Sequence, residues 1–308
     1  MKETNEHMVV YVTGLKPGSK VNFIAGAYNL ATIKSSNINE MVNEVIVALN
    51  NFDWQVKTVC GDGAKSNTTF FRTKCTLPVK DFIPETHLLK WGLDGDFLVA
   101  FKHPVTGNPV FVIEDPPHGI KKVANALRIR ALLFGDKPMR AMMLQDIWRA
   151  IELVDSGSDS NLIAETKYTD EHFDARNAAK MRVYLAAQLL SNSFVNMIDR
   201  VCADPIKYGQ DVLPKLPANS AARTVILKPL RTLCEKMNRL FDLCNSKNPD
   251  RNNPFVKILR HNGAEYVDEF LGIFAWVEEW KASLPVDDGG KLLDVHSFLT
   301  NETYTTVK

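Results

Sequence analysis

Apolar and polar positions follow two different rhythms along this chain. Residues 8–13, MVVYVT, and 22–31, VNFIAGAYNL, are rich in β-branched and aromatic side chains. Pro17 and Gly18 between them favour a turn, so the pair predicts a β-hairpin. The period then changes: Ile38, Met41, Val42, Val45, Ile46 and Leu49 recur at i, i+3, i+4 and predict a helix to about Asn50, with Asn37 as its cap. Three β-rich runs follow, VKTVC at 56–60, FLVAF at 97–101 and PVFVIED at 109–115, and a helical segment is predicted from about Pro117 to Phe134.

From Arg140 onward the period is almost purely helical, notably over 174–200, 229–245 and 264–284. TDEHF at 169–173 supplies a helix start with Thr169 or Asp170 as cap, and Met181, Val183, Leu185, Leu189 and Leu190 are expected in the core behind it. The switch of rhythm at the GDKP turn, 135–138, predicts α/β followed by all-α. The expected domains are 1–134, a mixed sheet with helices, and 135–285, helical, with an irregular tail over 286–308. DSGSDS at 155–160 reads as a polar loop, and no internal repeat is found.

Composition narrows the function. With 45% hydrophobic and 24% charged residues, the 308-residue chain is that of a globular protein. A net charge of +1 offers no overall attraction for a polyanion, so any nucleic-acid contact must be a local patch. Cys60, Cys75, Cys202, Cys234 and Cys244 are scattered without zinc spacing and read as reduced thiols. No apolar run approaches the ~20 residues that span a bilayer, and MKETNEHMVV lacks a signal-peptide core. A soluble intracellular protein with no membrane partner is expected.

Four segments carry candidate chemistry. In CGDGAKSN, 60–67, Asp62 follows an apolar strand, where a carboxylate is held rigidly yet accessibly, as a shared magnesium ion requires. An Asp-Gly turn with Asn67 capping the next helix explains the same residues. In DPPHGIKK, 115–122, His118 and Lys121 could face a phosphate at a helix start, or could belong to a capped helix with an exposed basic face. FDLCNSK, 241–247, places Asp242 and Asn245 on one helical face, suited to a guanine edge or simply to a solvated helix end. GLKPGSK, 14–20, is not a phosphate loop, because three residues separate its glycines and Ser precedes Lys.

Taken in order, VTGLKPGSKVNFIAGAY, VCGDGAKSN, HPVTG with VFVIEDPPHGIKKVAN, KMRVYLAAQLLSNS and FDLCNSK resemble the P-element family of transposases and their THAP-domain relatives. The resemblance extends over nearly the whole chain and is weakest after about residue 250. It implies part of an RNase H-like catalytic domain followed by a helical insertion that binds GTP. By that resemblance Asp62 is the second catalytic carboxylate and a Mg2+ ligand. Lys167, Ser191, Asp242 and Asn245 match GTP-contacting positions, Lys167 on phosphate and the last two on or near the base. DNA transposition, transposon-end DNA as partner, homo-oligomerisation and a nuclear location are implied with it.

The departures are also specific. The family's first catalytic Asp lies upstream of the strand at Met8 and its final Glu lies after the insertion, so one carboxylate of three is present. The zinc-containing THAP domain is not seen, Ala124 stands where the family usually has Arg, and Asn161 replaces an acidic residue, with Asp159 nearby. The expectation is a derivative or fragment inactive alone, with nucleotide binding able to outlive catalysis. The alternative is a non-catalytic guanine-nucleotide or DNA-binding module.

Overall fold

Alternating side chains fold the first strand pair back on itself: β1 (Glu6–Thr13) runs antiparallel to β2 (Asn22–Leu30), with a bulge between Val10 and Tyr11. The computed structural model describes residues 6–14, 20–62, 64–91, 94–155, 168–174, 176–244 and 263–286. They fall into two compact units that divide between Asp115 and Pro116.

In the first unit α1 (Ser35–Asn50) buries Ile38, Met41, Val42, Val45, Ile46 and Leu49, the stripe its spacing predicts. Asn37 is not its cap. The helix begins behind Lys34, and Asn37, at the third helical position, accepts the Lys34 N–H at 3.2 Å. A side chain there reaches back to the same unsatisfied backbone donors, so either position answers one need.

Next come β3 (Thr58–Gly61), α2 (Lys65–Lys74), the short β4 (Leu77–Pro78), α3 (Glu85–Trp91), β5 (Leu98–Lys102) and β6 (Pro109–Glu114). The sheet order is β3-β6-β5-β4, with β3 parallel to β6 and the other pairs antiparallel. Ile38, Val42, Ile46, Phe70, Phe101 and Val110 form the buried centre of this unit. The HPVTG segment is the turn joining β5 to β6. There the His103 ring, 3% exposed, accepts the Val105 and Thr106 N–H groups on Nδ1, both at 3.2 Å, and Gly107 has φ of 72°. Burial, and then Lys57, push the His103 pKa down.

The second unit opens with α4 (Pro116–Ile129), which stops short of Phe134. The residues beyond it form a hairpin, β7 (Leu132–Phe134) with β8 (Lys137–Met139), turning at Gly135 and Asp136, with Gly135 at φ of 60°. α4 and this hairpin supply Ile120, Val123, Ala124, Leu127, Leu132 and Met139 to the helical core, so they pack with the helices that follow. Ala124 is fully buried, where an Arg would have to displace core side chains.

The remaining described α-helices are α5 (Ala141–Asp155), α6 (Val183–Leu189), α7 (Asn192–Ala203), α8 (Ser220–Cys244) and α9 (Gly263–Ala282), with 3-10 turns at Asp170–His172 and Asn177–Met181. The helix expected over 174–200 is therefore broken at Leu190 and Ser191. Three polar residues with backbone-seeking side chains, Ser191 to Ser193, end one helix and start the next, and Ser191 is extended at φ −102° and ψ 164°. Met181, expected inside, is 62% exposed, while Leu185, Leu189 and Leu190 are buried.

Three contacts tie the end of this unit to its hairpin. The Trp280 indole N–H donates to the Leu133 carbonyl, the Ser283 hydroxyl accepts the Gly135 N–H at 3.0 Å, and Trp276 stacks on Phe134 at 6.3 Å. At the far end of α5, Asp155 is wholly buried. It receives Arg200 at 2.9 Å, Lys207 at 2.7 Å and the Tyr208 hydroxyl at 3.2 Å.

Candidate functional site

The helical unit brings two of the singled-out residues, Ser191 and Asp242, into one neighbourhood. Ser191 caps α7 by position, but its hydroxyl turns aside and meets the Tyr168 hydroxyl at 2.9 Å. Tyr168 also donates to the Gln188 carbonyl at 3.0 Å and packs on Phe194 at 4.5 Å. Burial pushes its phenol up to about 12, against a lesser opposing effect of Ser191 and Ser193.

One residue further on, the Asn192 N–H donates to Asn238 Oδ1 at 3.1 Å, and Asn238 Nδ2 donates to Asp242 Oδ2 at 2.8 Å. Ser191 and Asp242 thus lie in one neighbourhood, with Asn238 between them. Desolvation raises the Asp242 pKa, while Arg239 and the Asn238 bond pull the other way. Arg239 itself bonds Glu269 on α9.

Lys167 and Asn245 lie outside the described residues, as do Asp159 and Asn161. Tyr168 follows Lys167 directly and bonds Ser191, and Asp242 stands three positions before Asn245 on the helix end. Sequence reasoning missed Tyr168 and Asn238. The i, i+4 spacing of Asn238 and Asp242 on α8 was the available signal for the second.

The donor set suits a purine nucleotide. Oδ1 of Asp242 has no hydrogen-bond partner among the described residues, and a half-buried carboxylate with one open oxygen is complementary to the N–H edge of guanine. The Ser191 hydroxyl and the Tyr168 phenol add two further polar groups to this neighbourhood.

In the first unit Asp62 follows β3 and is exposed. Its Oδ1 accepts the Ala64 N–H at 3.0 Å and Asn67 Nδ2 at 2.7 Å, so Asn67 sits inside α2 and is not its cap. Pairing of Gly61 with Glu114, and an Asp115 N–H bond to the Gly61 carbonyl at 2.8 Å, bring Asp62 and Asp115 to neighbouring ends of two parallel strands. No group of three or more His, Cys, Asp or Glu among the described residues is placed to hold a metal. Asp62 therefore offers one oxygen ligand, and the described residues do not fit a complete magnesium site. In the second unit Lys121 is 8% exposed, so it is not part of an exposed basic face.

Residues 118–257 match the family described as TNP-like, GTP-binding insertion domain. Over 148 residues, 48% of this chain, the sequence is 30% identical to the Drosophila melanogaster transposable element P transposase. The match is 17% of that protein's length, so this chain spans only a small part of it. The fold is similar to that in the Drosophila P element transposase strand transfer complex, with a TM-score of 0.54 at 17% identity over 98% of this chain and 62% of the solved one. The strands and helices are mixed α/β in the manner of that structure. In family match, sequence and fold, the chain is similar to the P-element-like transposases.

Proposed function

We propose that the helical unit binds GTP through Lys167, Ser191, Asp242 and Asn245, with the guanine edge on Asp242. The observation that carries this reading is the bonded chain from Tyr168 through Ser191, Asn192 and Asn238 to Asp242, inside the stretch that matches a GTP-binding family. A nucleotide held this way is a positioned ligand.

The first unit, on the same reading, is part of an RNase H-like transposase domain in which Asp62 is one Mg2+ ligand for cut-and-paste chemistry on DNA. Its partners are transposon-end DNA and further copies of the chain, in the nucleus. Asp62 is held in place by the Ala64 N–H and the Asn67 amide. With one carboxylate assigned, strand transfer by this polypeptide alone is not expected. The second reading is a non-catalytic guanine-nucleotide or DNA-binding module, supported by the match of residues 118–257 to a GTP-binding insertion domain.

Titration of the purified chain with a fluorescent GTP analogue tests the first reading. Saturable binding displaced by GTP and not by ATP is expected. Asp242→Ala and Lys167→Ala should each weaken it by about tenfold or more, the worth of a hydrogen bond to a charged group. Asp62→Ala should leave it unchanged. Absence of saturable binding would sink the proposal.

A further inference from the structure

Asn238 stands one helical turn before Asp242 on α8 and so on the same face. Its side chain makes two bonds with opposite demands. Oδ1 takes the Asn192 N–H at the start of α7, and Nδ2 gives to Asp242 Oδ2. A backbone N–H can only meet an oxygen and a carboxylate can only meet an N–H, so both contacts require one amide orientation and neither tolerates the flipped one. The plane of the Asp242 carboxylate is thereby set relative to the first residue of α7, beside Ser191. One oxygen is occupied, and the other has no bond to any described residue.

We propose that Asn238 is the positioning residue for guanine selection: it holds the Asp242 carboxylate so that its open oxygen accepts the N–H donors of the purine. The proposal rests on the reading of the helical unit as a guanine-nucleotide site. Selection follows from hydrogen-bond chemistry. Guanine presents N–H donors at N1 and at its 2-amino group, whereas adenine presents an acceptor at N1, which a carboxylate repels. A carboxylate free to turn about its own side-chain torsions would meet that edge less often and discriminate less.

Two substitutions separate positioning from simple support of α7. Asn238→Asp keeps an acceptor for the Asn192 N–H but has no donor for Asp242. Asn238→Ala removes both bonds and favours helix. Displacement of fluorescent GTP from the full-length chain by GTP and by ATP, with melting temperature recorded in parallel, gives the selectivity ratio for each variant.

The expected result is a fall of about tenfold or more in the GTP-over-ATP ratio in both variants, with the half-displacing ATP concentration within about twofold of wild type. Asn238→Asp, whose carboxylate faces that of Asp242, should melt somewhat below wild type. A wild-type ratio in Asn238→Asp, with loss in Asn238→Ala alone, would overturn the proposal and leave Asn238 as a support for the helix start. Should Asn238→Asp fail to fold, an unchanged ratio in Asn238→Ala overturns it equally. If Asp242→Ala retains the full wild-type preference for GTP, the guanine reading itself fails and the positioning role falls with it.

Discussion

Asp62 and Asp242 are each held by an asparagine amide, at 2.7 and 2.8 Å, yet they stand in different surroundings. Asp62 is exposed at a strand end, where solvent screens its charge and the turn it makes needs no ligand to explain it. Asp242 is half-buried, and burial raises its pKa, so its charge carries a cost that a bound donor offsets. From this follows a sharper test than truncation. Asp242→Asn replaces an acceptor with an amide that can donate, and xanthine carries a carbonyl where guanine carries its 2-amino group. The variant should therefore lose GTP affinity by about tenfold or more and gain affinity for XTP, read by competition. Loss of both nucleotides equally would detach Asp242 from the base.

Helices and strands were legible to the extent that their pattern was long. The six buried positions of α1 follow directly from its period, and the β1–β2 hairpin from its two alternating runs. Three-residue strands carry no period, which is why β7 and β8 looked like the tail of a helix and a linker. The break between α6 and α7 was hidden by apolar residues that keep helical spacing across it, although the Ser-Asn-Ser run marks it once backbone-seeking side chains are weighed.

Asp155 shows what periodicity cannot reveal. Its position at the end of α5 gives no hint of the Arg200, Lys207 and Tyr208 groups that meet it from α7 and the segment after it. Removing a buried partner of an ion pair can cost about 3–5 kcal/mol, but Arg200 and Lys207 keep 29% and 38% side-chain exposure and can rehydrate. Asp155→Ala is accordingly expected to lower stability by about 1–3 kcal/mol in urea unfolding. Asp155→Asn, which keeps the volume and the Tyr208 bond, should cost less.

At the scale of the whole molecule, the two units have separate buried clusters with no residue in common. Calorimetry is expected to resolve two transitions. GTP at about one hundred times its Kd should stabilise only the one belonging to the helical unit, by about 2.7 kcal/mol. A single transition, or a shift of both, would contradict that assignment. Where sequence reasoning reached the site it did so through motif order, which brought up Ser191 and Asp242. The link that joins Ser191's neighbourhood to Asp242 runs from Asn192 to Asn238 on another helix, and no local pattern encodes that contact.

The bonds from Trp280 to Leu133 and from Ser283 to Gly135 make the chain return, 147 and 148 positions later, to the hairpin it set out from. Everything between is a closed excursion whose two feet stand together. Such a loop can grow, shrink or be grafted into a host scaffold without stretching the scaffold at the point of attachment. The residues that fasten the feet set where a transplanted copy would join its host, while the buried interior holds its shape.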